Sequence, residues 1–173
     1  MDFAIIAAAD DKMGIGIGNK LPWRLNGDLA YFSDVTTKAP EGLRNAVIMG
    51  RNTWLSLPEK SRPLRDRLNG VLCKEEMDLP AGVLRAVSFE DAFEQIEKTG
   101  KTGKVFVIGG ANVYAQAMEL ETCREIYLTR VSSSFDCDTF FPEVPLERFE
   151  LVSSSEEQEE NGVRYRFMVY RKK

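Results

Sequence analysis

Continuous apolar runs of strand length recur along most of this chain. Several contain no alternation of apolar and polar positions, which is typical of strands buried on both faces of a parallel sheet. Runs of this kind lie at 3–9, 46–49 and 104–108, and shorter apolar segments predict strands at 68–72, 84–87 and 125–131. The first two thirds of the chain therefore predict a sheet with a largely parallel arrangement.

Helices are predicted between these strands. One begins at about Asn26, another follows the capping-box pattern at Ser88 and runs to about Thr99, and a third follows Gly110 and runs to about Leu120. The segment 10–20 contains three glycines and is predicted to be a loop. Alternating strands and helices predict the α/β class.

The C-terminal tail has a different pattern. Residues 149–153 and 163–170 alternate, and Asn161-Gly162 is a strong turn signal, so a long antiparallel hairpin is predicted. The acidic stretch 156–160 is interpreted as a solvated loop that discourages edge pairing. We expect a single α/β domain over residues 1–173, with a mostly parallel twisted sheet, flanking helices and this hairpin, because no repeat or linker interrupts the chain.

Composition narrows the chemistry. The chain has no histidine, which removes catalysis by a Ser-His or Cys-His pair and His-based metal sites. The net charge of −4 gives no basic surface for nucleic acid, and no apolar run reaches the length of a membrane span. Three scattered cysteines and an acidic N-terminus without a signal-peptide pattern favour a cytoplasmic protein with no disulfides, and a monomer is the default expectation.

Asp28 is the principal candidate for chemistry. In a helix from about Asn26, Asp28 shares a face with Tyr31, Phe32 and Val35. A carboxylate in apolar surroundings needs a cationic or hydrogen-bonding partner, so this position predicts binding and protonation of a small basic ring. The alternative is structural: Asn26 would be the N-cap, and an acid two positions later would stabilise the helix dipole.

Two segments have the form strand, glycine, helix, at 46–54 and 105–114. Unpaired N–H groups at the helix starts favour an anion, and glycine lets a phosphate approach the backbone. Two such junctions in one small domain predict a dinucleotide site, with Arg51 and Lys74 as further phosphate partners. The alternative is that α/β proteins commonly turn at glycine, and neither segment matches the GxGxxG pattern.

From end to end the chain resembles dihydrofolate reductase. Seven blocks in order carry the resemblance: MGIGIGNKLPW (13–23), DLAYF (28–32), VIMGRNTW (47–54), RPL-x-x-R (62–67), VIGGANVY (107–114), IYLTRV (126–131) and DTFFPE (138–143). The resemblance implies reduction of 7,8-dihydrofolate to tetrahydrofolate with NADPH, in one-carbon and thymidylate metabolism. It also implies binding of antifolate-type small molecules.

The resemblance also implies site residues. Asp28 would bind the pterin, with Thr129 and, through water, Trp23 in the same network. Leu21 would lie in the closing loop and Tyr114 near the nicotinamide, and Arg67 would pair with the α-carboxylate of the glutamate tail. The substrate walls would be Ile6, Ala8, Leu29, Phe32, Leu57, Leu64 and Ile108. The cofactor would contact Ala8, Ile15, Gly50, Arg51, Thr53, Cys73, Lys74, Ile108, Gly109, Gly110, Ala111 and Tyr114, with a cis peptide between the two adjacent glycines.

Three positions depart from the family pattern. Asp66 stands where glycine is usual, Gly70 interrupts a strand and suggests a bulge, and Cys73-Lys74 replaces a hydroxyl-arginine pair beside the 2′-phosphate. Two rival functions are a reductase of the same fold acting on a riboflavin precursor and a non-catalytic nucleotide-binding module. The LPW and Asp28 block argues against the first. The presence of Asp28, Thr129, Arg67 and both glycine junctions argues against the second.

Overall fold

A computed structural model describes residues 1–173 and contains eleven strands and four helices. The strands are β1 (Phe3–Ala9), β2 (Gly14–Gly16), β3 (Arg44–Gly50), β4 (Leu68–Leu72), β5 (Leu84–Ala86), β6 (Thr102–Val107), β7 (Cys123–Val131), β8 (Thr139–Phe140), β9 (Phe149–Ser154), β10 (Gln158–Glu160) and β11 (Val163–Lys172). The helices are α1 (Asn26–Thr37), α2 (Arg51–Ser56), α3 (Phe89–Thr99) and α4 (Ala111–Glu119).

Nine strands form one twisted sheet in the order β10-β11-β7-β1-β6-β3-β4-β5, with β9 also paired to β11. The six strands from β7 to β5 are parallel, and β11 joins them antiparallel. The predicted α/β class, with a mostly parallel sheet and an antiparallel C-terminal element, is confirmed. No helix is long and apolar enough to cross a membrane.

The central strands bury both faces, which explains their continuous apolar sequence. In β1, Ile5 packs into the cluster under α3 and α4, whereas Ile6 packs into the opposite cluster with Trp54 of α2. In β3, Ile48 packs into the first of these clusters and Val47 into the second. Because successive strand residues point to opposite faces, a strand covered on both sides has no polar alternation.

The helix predicted from about Asn26 is confirmed, but the alternative interpretation, in which Asn26 is its N-cap, is wrong. The N-cap is Leu25, which has no side-chain cap, and Asn26 is already in the helix. The carboxylate of Glu160 accepts the N–H groups of Asn26 and Gly27 at 2.7 and 3.0 Å. The cap is therefore supplied across the fold, which is why the local pattern misidentified it. At α3 the local prediction is confirmed, since the Ser88 hydroxyl accepts the N–H of Asp91.

The structure corrects three further predictions. The segment 10–20 is not wholly loop, because β2 lies within it and pairs with β8. The stretch 156–160 is not simply a solvated loop, because β10 pairs with β11 beside the Asn161-Gly162 turn. Gly70 causes no bulge, because β4 keeps an unbroken register with β3 from Leu68 to Leu72.

Candidate active site

A cleft of about 1020 Å³ opens above the carboxyl ends of the parallel strands. In open α/β sheets this edge is where ligands bind, because strand ends and helix starts leave polar backbone groups there. The cleft lies between α1 on one side and the starts of α2 and α4 on the other, with the 15–21 loop over it. Half of its 30 lining residues are hydrophobic.

Asp28 contributes a carboxylate to the wall of this cleft. Its Oδ1 accepts a 2.8 Å hydrogen bond from the hydroxyl of Thr129, which is 2% exposed on β7. Burial raises the pKa of Asp28, and the hydrogen bond from Thr129 opposes that rise. The expectation that this acid has a cationic or hydrogen-bonding partner is confirmed, and the partner is Thr129.

Tyr31 lies on the same side of α1 as Asp28 and also lines the cleft. Its ring stacks on Phe167 of β11, with a centroid separation of 3.9 Å. Burial, followed by the charges of Tyr127 and Asp28, raises the pKa of Tyr31 to about 12. Tyr31 therefore remains a neutral phenol at neutral pH.

Tyr114 lies at the base of the cleft on α4. Its hydroxyl donates a 2.8 Å hydrogen bond to the carbonyl of Ile6, and its ring meets Phe141 edge-on at 5.0 Å. Burial, followed by the charge of Asp28, raises the pKa of Tyr114. This side chain therefore stays protonated and fixes α4 against β1.

The two strand-glycine-helix junctions meet face to face. The N–H of Gly50 donates to the carbonyl of Gly109 at 2.8 Å, and the Gly109-Gly110 peptide is cis. A Cβ on Gly50 would approach Val113 Cγ2 to 3.0 Å, and a Cβ on Gly109 would approach Thr53 Oγ1 to 3.2 Å. Neither α2 nor α4 has a side-chain N-cap. Both helix starts therefore present free N–H groups to the cleft.

Arg67 occupies the far end of α1 from Asp28. It is 8% exposed, its Nε donates to the carbonyl of Arg65 at 2.8 Å, and its Nη1 donates to the hydroxyl of Thr36 at 3.0 Å. Its guanidinium lies 5.9 Å from the centre of the Phe32 ring. Two of its donors are thus fixed by the protein, which orients the remaining donors. The preceding Asp66 has a φ of 61°, a value that Asp adopts more readily than most side chains.

Asp10 connects the two loops beside the cleft. This carboxylate is 0% exposed and accepts the N–H groups of Lys12, Gly14 and Phe135 at 2.7–2.9 Å, with the thiol of Cys137 at 3.9 Å. Burial alone raises the pKa of Asp10, but these donors outweigh it and lower the pKa. Asp10 had no part in the sequence-based site, because two of its partners, Phe135 and Cys137, are 125 and 127 positions away.

Most of the predicted site residues line the one cleft. From the sequence-based set these are Ile6, Ala8, Ile15, Leu21, Asp28, Leu29, Phe32, Gly50, Arg51, Thr53, Leu57, Leu64, Ile108, Gly109, Gly110, Ala111, Tyr114 and Thr129. Four predicted residues do not line it: Trp23, Arg67, Cys73 and Lys74. The indole of Trp23 packs against Phe135 at 5.2 Å, and its buried N–H has no protein partner, so no direct bond joins it to Asp28.

Sequence reasoning missed several polar residues of the cleft. Asn52 and Asn112 follow the two glycine junctions, and Asn19 and Asp138 belong to motifs recognised only as blocks. Asp138 accepts the N–H of Gly18 at 3.0 Å and so ties the glycine-rich loop to the segment before β8. The position of Asn52 and Asn112 in the first turn of a helix that follows a glycine was the sequence signal that could have identified them.

The sequence and fold both match known proteins over nearly their whole length. A family model described as dihydrofolate reductase matches residues 2–172. Dihydrofolate reductase of Heliothis virescens is 44% identical, over 97% of this chain and 96% of the relative. That of Rattus norvegicus is also 44% identical, over 97% and 96%. The Schistosoma mansoni dihydrofolate reductase structure superposes with a TM-score of 0.89 at 36% identity, covering 100% of this chain and 99% of that one.

The geometry of the cleft and these matches point to the same family. The cleft has a half-buried carboxylate on one wall and two uncapped helix starts on the other. The family's general reaction is the NADPH-dependent reduction of dihydrofolate to tetrahydrofolate. This chain belongs to the dihydrofolate reductase family.

Proposed function

We propose that this chain reduces 7,8-dihydrofolate to tetrahydrofolate with NADPH, supplying one-carbon and thymidylate metabolism. One observation carries the proposal. A carboxylate bound by Thr129 faces, across one cleft, two glycine-marked helix starts with free N–H groups. The first wall suits a basic ring with N–H donors, and the second suits phosphates.

Asp28 is proposed to bind the amino group and ring nitrogen of the pterin. One of its oxygens already accepts from Thr129, and a carboxylate has further lone pairs for two N–H donors. Its charge favours the protonated pterin, and its partly desolvated position strengthens that effect. The proton at the reacting nitrogen is proposed to come from a water molecule, because Asp28 binds a different edge of the ring. Trp23 is proposed to join this network through water.

The remaining substrate contacts are proposed along α1. Leu29 and Phe32 project from the helix into the cleft, and Ile6, Ala8, Leu57, Leu64 and Ile108 line its other surfaces. Arg67, oriented by Thr36 and Arg65, is proposed to bind the α-carboxylate of the glutamate tail through a two-bond fork. Asp28 on the first turn of α1 and Arg67 beside Thr36 near its end would then bind opposite ends of one folate molecule.

The residues of the second wall fit NADPH, which supplies a hydride when bound. Gly50 and Gly109 leave no room for a Cβ, which would approach Val113 and Thr53, so both junctions stay closely packed at the helix starts. Free N–H groups at Arg51, Ala111 and their neighbours are donors for such phosphates, and Thr53 adds a hydroxyl. Ala8, Ile15, Ile108 and Tyr114 form the apolar floor proposed for the nicotinamide. Leu21, 51% exposed, is proposed to move over that ring and exclude water.

Cys73 and Lys74 are proposed to bind the 2′-phosphate that distinguishes NADPH from NADH. They follow Leu72, which lines the cleft, and Arg85 fixes the turn by donating to the carbonyl of Cys73 at 3.1 Å. Lys74→Met tests this assignment. Its expected effect is a KM rise of about tenfold for NADPH and an unchanged KM for NADH. Equal changes for both cofactors would contradict it.

The setting of the activity is also a proposal. We infer a single domain over residues 1–173 that acts as a monomer in the cytoplasm. Dihydrofolate and antifolate-type inhibitors are its proposed small-molecule partners. The finding that no helix is suited to cross a membrane is compatible with this setting, and sedimentation equilibrium measures the oligomeric state directly.

The decisive experiment follows the near-ultraviolet absorbance of NADPH with dihydrofolate added, for the wild type and Asp28→Asn. We expect loss of absorbance with the wild type and a rate at least a hundredfold lower with the variant at neutral pH. Equal rates would remove Asp28 from the mechanism. If the wild type binds NADPH but leaves dihydrofolate unchanged, two other functions should be tested: reduction of a riboflavin precursor, and nucleotide binding without catalysis.

A further inference from the structure

Helix α1 begins without a cap of its own. Its N-cap residue, Leu25, provides no side-chain acceptor, and the first two helical N–H groups belong to Asn26 and Gly27. Both donate to one carboxylate, that of Glu160 on β10, at 2.7 and 3.0 Å. One residue, 134 and 133 positions away from these two donors, thus replaces a local cap.

The start of α1 lies directly against the C-terminal hairpin formed by β10 and β11. A Cβ on Gly27 would collide with the hydroxyl of Tyr165, so this position has no room for a larger side chain. Four residues later, Tyr31 stacks on Phe167 of the same strand. Side chains of the hairpin therefore contact the backbone of α1 at its first turn, and the ring of Tyr31 one turn further on.

Glu160 and Thr129 belong to the same sheet. Glu160 pairs with Val163 where β10 meets β11, and Phe167 of β11 pairs with Thr129 of β7. These two sheet residues hold three consecutive residues of α1. Glu160 accepts the backbone N–H groups of Asn26 and Gly27, and Thr129 donates to the side chain of Asp28.

Glu160 carries its charge at neutral pH. Its hydrogen bonds from Gly27 and then Asn26 lower the pKa of this carboxyl, and burial opposes them only weakly. A negative charge at a helix N-terminus is favourable because the free N–H groups there are partly positive. The ionised carboxylate therefore holds the first turn of α1 in one place.

We propose that Glu160 is a positioning residue for Asp28. By binding the first two N–H groups of α1 it fixes that turn against the hairpin, and the carboxylate of Asp28 then meets the hydroxyl of Thr129. Glu160 does not line the cleft, so it acts without touching substrate. This inference rests on the proposed pterin-binding role of Asp28.

The test compares Glu160→Ala and Glu160→Gln with Glu159→Ala and Glu159→Gln. Glu159 is the adjacent acid on β10, is exposed and faces Arg164 across the hairpin, so its variants remove the same charge without touching α1. We expect Glu160→Ala to raise the KM for dihydrofolate about fivefold and to leave the KM for NADPH unchanged, because the cofactor wall is built from α2 and α4. Glu160→Gln keeps one acceptor and should give a smaller rise, which tests the proposal if the alanine variant does not fold.

A purely structural role predicts a different result. Both accounts predict a lower thermal unfolding temperature, because the cap of α1 is lost. A purely structural role would change both KM values together, or neither, and either of these kinetic results overturns the proposal. A double-mutant cycle adds a second criterion: in the Asp28→Asn background, Glu160→Ala should no longer weaken folate binding measured by fluorescence. The same weakening in both backgrounds overturns the proposal. A wild type inactive on dihydrofolate would instead refute the proposed function, whereas an active wild type with Glu160→Ala matching Glu159→Ala refutes only the role of Glu160.

Discussion

The hydroxyl of Thr129 donates a 2.8 Å hydrogen bond to the carboxylate of Asp28, although the two residues are 101 positions apart. Thr129 lies on β7 next to Ala8 of β1, and Asp28 lies on the first turn of α1. The contact therefore joins the sheet to the helix at the wall of the cleft. It also opposes the effect of burial on the pKa of Asp28, because it favours the charged form.

Replacing Thr129 by Val should weaken substrate binding while preserving the fold. Val has nearly the same shape and suits a buried strand position, but it removes the donor to Asp28. We expect a KM for dihydrofolate about tenfold higher, a KM for NADPH near that of the wild type, and a further rise in the pKa of Asp28. Steady-state kinetics measure the KM values. Thr129→Ser, which retains the hydroxyl, should stay within about twofold of the wild type.

Asp28→Asn should stabilise the ligand-free protein at neutral pH. Burial raises the pKa of Asp28, so the charged form costs more in the folded state than in the unfolded chain. The favourable contribution of the neutral carboxyl is fully present below the ordinary value of 3.8 and is lost as pH rises through the folded-state pKa. Thermal unfolding should show a higher Tm for the variant at neutral pH and convergence of the two proteins below pH 3.8. A lower Tm at neutral pH would contradict this account.

Arg67→Lys should discriminate between substrates by their tails. Arg67 is fixed by Thr36 and Arg65, and lysine cannot reproduce both of those bonds and a two-bond fork to a carboxylate. We expect the KM for dihydrofolate to rise about tenfold to a hundredfold, and the KM for a dihydropterin without the glutamate tail to stay unchanged. Parallel increases for both substrates would mean that Arg67 acts on the cleft as a whole.

Gly109→Ala should damage the cofactor wall specifically. Gly109 has a φ of 128°, and its Cβ would lie 3.2 Å from Thr53 Oγ1 and 3.4 Å from the Tyr114 hydroxyl. The matched control is Gly82→Ala, at a φ of 87° with no atom within 4 Å of the added Cβ. Gly82→Ala should lose about 1 kcal/mol of stability from backbone strain, and Gly109→Ala should lose more, because its Cβ is also crowded. Only Gly109→Ala should raise the KM for NADPH, by about tenfold or more; an equal KM for the two variants would contradict the assignment.

Asp10→Asn should destabilise the protein by about 2 to 3 kcal/mol, because one oxygen would become an NH₂ group facing backbone N–H donors. Since the pKa of Asp10 is lowered on folding, its stabilising effect is present above the ordinary value of 3.8 and is lost as pH falls through the folded-state pKa. Urea unfolding should therefore show that the difference in unfolding free energy between the wild type and Asp10→Asn narrows below pH 3.8. The exposed neighbour Asp11, changed to Asn, should alter stability by less than about 0.5 kcal/mol.

The sequence alone was sufficient for elements whose determinants are local. The apolar runs of β1 and β4 predicted strands with the observed bounds, and the Ser88 pattern predicted the cap of α3. The two glycine junctions indicated adjacent helix starts, which in the structure are joined by the bond from Gly50 to Gly109. Each of these signals lies within about ten residues, where periodicity and capping chemistry apply.

Only the tertiary structure identified the long-range partners of Asp10, Asp28 and Glu160. Local pattern offered Asn26 as the cap of α1, whereas the acceptor is Glu160, and it gave Asp10 no role. Hydrogen bonds across more than a hundred positions depend on strand order and register, which no short segment encodes. The sequence thus determined the family, the fold class and the acid on α1. The tertiary structure decided which groups hold that acid in place, because a buried charge takes its partners from whatever elements the fold packs around it.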